Sequence, residues 1–250
     1  AFLSACAAYT VGAGLVQIYT ASENRLALQE LLPEAIISCY DSYDDSQLSH
    51  LLDWADVVCI GCGLGMGQIS EKILKNVLKN VSCPCVIDAD GLNLLSRNIE
   101  LLNQCCAPVI LTPHMKEMSR LTGWSIDTIM EDRFQALDQI IKQSGPDTKS
   151  SIICVLKDSR TVVAQTNRQR FVNLAGNNSM AKGGSGDVLA GTIAGLLAQH
   201  MAPFEATTVG VFLHACGGDE AKKSKGSYSV LARDLIQGMA DAMKNAKECR

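Results

Sequence analysis

Short runs rich in valine and isoleucine recur along this chain with helical patterns between them. That alternation narrows the fold more than any other feature. GLVQIYTA, EAIISCY, ADVVCIGC, CPCVIDAD, APVILTPH and SIICVLKD are mostly apolar on both faces, as strands covered on both sides of a parallel sheet are. SEKILKNVLKNV puts Ile73, Leu74, Val77, Leu78 and Val81 on one helical face and Lys72, Lys75 and Lys79 on the other, with Ser70 as the expected N-cap. SIDTIMEDRFQALDQIIKQSG repeats the device as far as Gly145. AFLSACAAYTV reads as a small-residue helix, TVVAQTNRQRFVNLA as a hairpin turning at TNRQ, and the chain from Gly186 onward as helices over about 187–199, 204–221 and 228–247. Strands and helices in this order predict a three-layer α/β/α domain around a mostly parallel sheet. With no internal repeat, low-complexity tract or linker, residues 1–250 read as one domain.

The composition excludes several classes of function. A net charge of −4 over 250 residues offers no electrostatic footprint for nucleic acid or for an anionic membrane. Residues 1–22 carry no charge, yet they lack a basic leading segment, and Gly12 and Gly14 divide them, so neither a signal peptide nor a membrane span is expected. The chain starts without Met, and its first helix has no capping residue ahead of it, which leads to the expectation of further residues before Ala1. Eleven cysteines are many. Cys59, Cys62, Cys85 and Cys154 lie in or beside apolar runs and Cys105 and Cys106 are adjacent, so they read as small buried hydrophobes of a reducing cytoplasm. A zinc site from Cys59 and Cys62 with Cys83 and Cys85 is the weaker alternative, since only the first pair has ligand-like spacing.

In open α/β sheets, ligands sit beyond the carboxyl ends of the strands. The polar and glycine-rich segments fall there. GCGLGMG (61–67) follows one run, Asp88, Asp90 and Asn93 the next, Thr112, Pro113 and His114 the third, and Lys157 and Asp158 the fourth. One shared crevice is the expectation. GCGLGMG does not have dinucleotide-fingerprint spacing, because the third required glycine would fall at Met66 or Gln68. A loop passing close to some other ligand is favoured, with a plain tight turn as the alternative.

AKGGSGD (181–187) is not a Walker loop either, since Lys182 precedes the glycines and Asp187 follows the last of them. It nevertheless suits an anion. Gly183, Gly184 and Gly186 let successive N–H groups converge around Ser185, and the helix that follows aims its positive end at the same point. Ala190, Gly191, Ala194, Gly195 and Ala198 would let that helix pack close to the sheet. Asp187 is either an N-cap or a catalytic base that takes a proton from a substrate hydroxyl while the backbone cradle holds a transferring phosphoryl group. The second reading is favoured. His114 is either a satisfied structural residue or a substrate contact. Lys157 and Thr161 bracket a turn that is either a nucleotide contact or a hairpin corner.

Taken together, these segments resemble the nucleotide-dependent NAD(P)H-hydrate dehydratases, a branch of the ribokinase-like superfamily. AKGGSGDVLAGTIAGLL is similar to that family's signature, CIGCGLG to its GPGLG loop, VIDADGLNLL to its DADALNLL-like segment, and ILTPHMKEMSRLTG to its TPHxGE segment, with Lys116 where glycine is usual. VLKDSRTVVA is similar to its KGxxT turn, with Asp158 for glycine, and VFLHACGGDEA and LARDLIQGM to its closing helices. The family's opening glycine-rich strand and turn have no counterpart here. The resemblance implies repair of hydrated NADH and NADPH (NADHX and NADPHX) with ADP or ATP and a divalent cation, Mg2+. The hydrate's hydroxyl would be phosphorylated and then eliminated. It implies that Asp187, His114 and the loop of Gly61, Gly63 and Gly65 contact the hydrated cofactor. Lys157, Asp158, Ser159, Arg160 and Thr161 with Gly183, Gly184, Ser185 and Gly186 would bind the nucleotide, and Asp90, Asn93, Asn177 and Lys182 would support them. It names no metal ligand. A homotetramer and fusion to an epimerase domain are further implications. A thiazole or hydroxymethylpyrimidine kinase of the same superfamily and a non-catalytic nucleotide-binding domain are the competing readings.

Overall fold

In this computed structural model, residues 1–142, 151–166 and 169–248 are described. The elements in chain order are α1 (Phe2–Thr10), β1 (Gln17–Ala21), α2 (Arg25–Leu31), β2 (Ile36–Tyr40), α3 (Asp45–Trp54), β3 (Val58–Ile60), α4 (Gln68–Asn80), β4 (Cys85–Ile87), α5 (Ala89–Leu95), β5 (Val109–Leu111), α6 (Met115–Thr122), α7 (Ile126–Glu131), α8 (Arg133–Ile141), β6 (Ile152–Leu156), β7 (Val162–Gln165), β8 (Arg170–Val172), α9 (Ser185–Leu197), α10 (Pro203–Ser229) and α11 (Ala232–Glu248). The expected end of the α8 pattern at Gly145 and the middle of the TNRQ turn lie outside the described residues. No helix among the described residues is long and apolar enough to cross a membrane.

The chain divides into two compact units. The larger sheet lies in the unit formed by residues 45–174 and 202–208 and runs in the order β3-β4-β5-β6-β7-β8. β3 to β6 are parallel neighbours, and β6, β7 and β8 close the sheet antiparallel. All residues of β4, β5 and β6 are buried, which explains their unbroken apolar sequences. Ile73, Leu74, Val77, Leu78 and Val81 are all buried, as their spacing predicts. Ser70 does not cap α4. Gly67 holds that position, and Ser70 sits one turn inside with its Oγ donating to the Leu64 carbonyl at 2.7 Å. The long pattern after Trp124 is two helices rather than one. Asp132 is extended (φ −143°) and its carboxylate accepts from the Gln135 N–H, ending α7 and capping α8 in one step.

The other unit comprises residues 1–44, 175–201 and 209–250. Its β1 and β2 pair parallel as a two-stranded sheet over a cluster of Ala5, Ile18, Leu28, Leu32 and Ala35. α1, α9 and α11 pack on one another. Gly191 and Gly195 of α9 face α1. A side chain at Gly191 would lie 2.0 Å from the Ser4 carbonyl, and one at Gly195 would meet Ala8 and Val11. α10 is interrupted at Gly226, whose φ of 74° and ψ of 170° are not helical.

The cysteines divide by position. Cys85, Cys105 and Cys154 are buried, whereas Cys59, on the short edge strand β3, and Cys106 are exposed, contrary to the uniform burial expected of them. Burial pushes the thiols of Cys85 and Cys154 well up, and that of Cys105 up, which makes them inert.

Candidate active site

The carboxyl ends of β3, β4, β5 and β6 bring together the residues expected there. The main chain carries the ladder past the strands. Asp88 N–H donates to the Ile60 carbonyl, Thr112 N–H to the Ile87 carbonyl and Lys157 N–H to the Pro113 carbonyl, at 3.0, 3.2 and 2.8 Å. Asp88 is the hub. Its carboxylate, 1% exposed, accepts from Thr112 Oγ1 at 2.8 Å and from Lys157 Nζ at 2.6 Å. Its carbonyl would lie 1.8 Å from any side chain placed on Gly61, whose φ is +116°. Only glycine permits both that approach and that conformation. At Gly61 the close approach is therefore to the protein's own backbone. Gly63 and Gly65 also have positive φ, and Gly65 N–H donates to Asp90 Oδ2 at 2.8 Å. Ala89, at φ +47°, holds a conformation that a side chain resists, at the junction between these contacts.

His114 starts α6 as its N-cap. Its Nδ1 accepts from the N–H groups of Lys116 and Glu117 at 3.1 and 3.2 Å, and Glu117 Oε2 accepts from the His114 N–H at 2.8 Å. This is a reciprocal capping box built on imidazole. Because Nδ1 accepts, the ring proton sits on Nε2, which faces Glu117 Oε1 at 3.4 Å. Burial, then the nearby Lys157 ammonium, hold the imidazole below its ordinary value, so it is neutral near pH 7. Burial also raises the Glu117 carboxyl, against the pull of Lys157 at 3.9 Å. The ring remains about half exposed, so the structural and the substrate-facing reading of His114 are compatible. Asn93 Oδ1 accepts from Arg120 at 2.7 Å.

The turn from Lys157 to Thr161 joins β6 to β7, and two of its charges, Lys157 and Asp158, are paired within the protein. Lys157 meets Asp88, and Asp158 meets Arg133 at 2.8 Å. Arg133 also reaches the Arg160 carbonyl at 3.4 Å, Arg160 bonds the Ser159 carbonyl, and Thr161 Oγ1 donates to the Asp158 carbonyl at 3.3 Å. Sequence reasoning placed Lys157 and Asp158 but missed Glu117 and Arg133. The spacing His114-x-x-Glu117 is the one local signal for Glu117, since it repeats a capping box with imidazole in place of a hydroxyl. Arg133 is paired across 25 residues, and nothing local announces it.

The other unit holds the glycine-rich segment. Asp219 on α10 accepts from the Gly176 N–H at 3.1 Å and from Asn177 Nδ2 at 2.7 Å. Asn177 Oδ1 in turn accepts from the Ser179 N–H, so the segment is pinned ahead of its glycines. Lys182 is exposed and bonds the Tyr228 carbonyl. Gly184, left-handed at φ +89°, is the N-cap of α9 and offers no side-chain acceptor. The first-turn N–H groups of a helix have no intrahelical partner, so a glycine cap suits an anion supplied from outside. Ser185 is buried with its Oγ 3.3 Å from His214 Nε2. Asp187 stands inside the first turn of α9 and not at the N-cap position.

Comparison with known proteins decides the family. The sequence pattern of the NAD(P)H-hydrate dehydratase (Carb_kinase) family matches residues 1–240. The chain belongs to the NAD(P)H-hydrate dehydratase family. It is 34% identical over 254 residues to the bifunctional NAD(P)H-hydrate repair enzyme Nnr of Moorella thermoacetica, covering 98% of this chain and 47% of that protein. It is 35% identical over 222 residues to the ADP-dependent (S)-NAD(P)H-hydrate dehydratase of Neisseria meningitidis, covering 87% of this chain and 73% of that one. Among solved structures, the ADP/ATP-dependent NAD(P)H-hydrate dehydratase of Bacillus subtilis, co-crystallised with ATP and Mg2+, superposes with a TM-score of 0.82 at 27% identity, covering 98% of this chain and 84% of that one. The expected ribokinase-like α/β fold with a mostly parallel central sheet is thereby borne out. The chain spans less than half the length of the bifunctional relatives it matches.

Proposed function

We propose that this dehydratase-family chain restores NADH and NADPH from the S forms of their hydrates, with ADP or ATP as phosphoryl donor. The observation that carries this reading is the start of α9, where a glycine cap leaves helix N–H groups for a phosphate and a carboxylate stands inside the same turn. In the proposed reaction Asp187 takes the proton from the hydrate's hydroxyl as its oxygen attacks the terminal phosphorus of the nucleotide, and the bond from that phosphorus to the nucleotide's bridging oxygen breaks. The phosphorylated hydroxyl then leaves as inorganic phosphate while the adjacent carbon loses a proton, and the ring double bond returns. The backbone N–H groups of Gly183 to Gly186 hold the transferring phosphoryl.

His114, with its proton on Nε2, and the Gly61, Gly63 and Gly65 loop contact the hydrated nicotinamide, while the turn from Lys157 to Thr161 contacts the nucleotide. Asp90, Asn93, Asn177 and Lys182 support these segments through the bonds described above. Mg2+ would enter on the nucleotide's phosphates and supply charge neutralisation there. Among the hard oxygens at the strand ends, those of Asp88 and Glu117 already face Lys157 at 2.6 and 3.9 Å, and that of Asp90 accepts from the Gly65 N–H. The phosphates and water would therefore supply most of its ligands. We take residues 1–250 as one such domain, working in the cytoplasm as a homo-oligomer, and joined to an epimerase domain where the full chain is as long as its bifunctional relatives.

The test follows the reduced-nicotinamide absorbance of S-NADHX mixed with the protein, Mg2+ and ADP or ATP. Growth of the band only with nucleotide supports the proposal. No growth, with nucleotide consumed on other hydroxylated substrates, favours a small-molecule kinase instead. The hydroxyethylthiazole kinase of Pyrococcus horikoshii shares the fold at a TM-score of 0.66 and 15% identity, which speaks for the fold alone.

A further inference from the structure

The ammonium of Lys157 is held where a nucleotide phosphate would have to compete with a buried carboxylate for it. Asp88 Oδ1 lies 2.6 Å from Nζ, Glu117 Oε2 lies 3.9 Å away, and the Lys157 side chain is 18% exposed. Asp88 is itself fixed by Thr112 Oγ1 and by its own backbone bonds to Ile60 and Gly91. The Lys157 main chain is tied as well, by its N–H to the Pro113 carbonyl and by a parallel bridge to His114. Pulling Nζ out toward a phosphate would leave two buried carboxylates facing each other with no cation between them, which is strongly unfavourable.

We propose that Lys157 and Asp88 are positioning residues for the nucleotide turn. Asp88 holds the turn from behind through the Lys157 ammonium, and the nucleotide meets the turn's backbone and Thr161, not Lys157 Nζ. The proposal rests on the assignment of residues 157–161 to the nucleotide and deepens it. It also assigns Asp88, an aspartate of the strand-end segment DADGLN, to the same task.

The experiment measures ADP binding by calorimetry at several salt concentrations for the wild type, Asp88→Asn, Lys157→Met and the double variant, with NADHX turnover alongside. An ammonium–phosphate contact is screened by salt, so its loss flattens the salt dependence. Each single variant is expected to weaken ADP by about tenfold, the double variant to be no weaker than the worse single, and the salt dependence to stay that of the wild type in all three. KM for the hydrate should hold. Tighter ADP binding in Asp88→Asn, or a flattened salt dependence in Lys157→Met, would overturn the proposal. If the single variants do not fold, the double variant, neutral on both sides, decides by its salt dependence. Wild-type protein that binds ADP but restores no NADH would sink the dehydratase reading and still decide this one. Wild-type protein that binds neither ADP nor ATP would sink both.

Discussion

The strand ends around Asp88 and the start of α9 are organised by opposite means. At the strand ends, buried charges do the positioning: Asp88, Glu117 and Lys157 are held among β4, β5, β6 and α6, and each side chain there has a charged or hydrogen-bonding partner. At the start of α9, backbone does it. Gly184 caps the helix in a left-handed conformation without a side-chain bond, and the segment is fixed further upstream by Asn177 and Asp219. Paired buried charges are stiff and fail badly when one partner is removed. A glycine cradle is open to an outside anion and fails when a side chain fills it.

Mutations in the two regions should therefore differ in kind. The largest expected effect is on chemistry alone. Asp187→Asn should lower NADHX turnover by roughly a thousandfold while thermal unfolding and ADP binding stay close to wild type. A stability loss matching the activity loss would instead give Asp187 a structural role. Next comes Asp88→Asn, which should cost about 3 kcal/mol in urea unfolding because it strands the Lys157 ammonium, with most of that recovered in the double variant with Lys157→Met. Gly184→Ala should cost less, about 1–2 kcal/mol for its left-handed backbone, and its new Cβ would press on Leu3 Cδ1, 2.5 Å away. If Gly184→Ala proved the more costly of the two, the contrast between a charged scaffold and a backbone cradle would not hold.

The smallest effect sharpens the account of His114. Its Nδ1 caps α6 only while unprotonated, and its folded-state value lies below the ordinary 6.5. The unfolded chain therefore takes up the proton first as pH falls. The cap's contribution is complete above 6.5 and declines below it toward the depressed value. Glu117, raised above its ordinary 4.5, has the opposite sign, since it favours the folded state below 4.5 and loses that as pH rises through its raised value. His114→Asn caps without titrating, so wild type should lose stability relative to this variant as pH falls from about 7 to 5. A difference that does not change with pH would contradict the cap's protonation state.

What was legible in the sequence was local or periodic. β4, β5 and β6 announced themselves because burial on both faces leaves no polar residue in the run, and α4 because its apolar stripe is complete. The strand-end residues were legible because parallel strands share one carboxyl end. What escaped depended on partners far along the chain. Asp88 and Lys157 are 69 residues apart, and no local pattern says that one neutralises the other. The packing of α9 on α1 also escaped, because a stripe of small residues reports a close neighbour without naming it. Ser70 failed as a cap for a similar reason, since its hydroxyl was drawn to the Leu64 carbonyl of the glycine loop.

The most direct measurement is stoichiometry. Inorganic phosphate and reduced nicotinamide should be counted in the same reaction of the protein with S-NADHX, Mg2+ and ADP. The account predicts one phosphate released for each NADH restored, at equal rates. Phosphate retained on a stable product with no return of NADH would contradict it and leave a kinase on this fold.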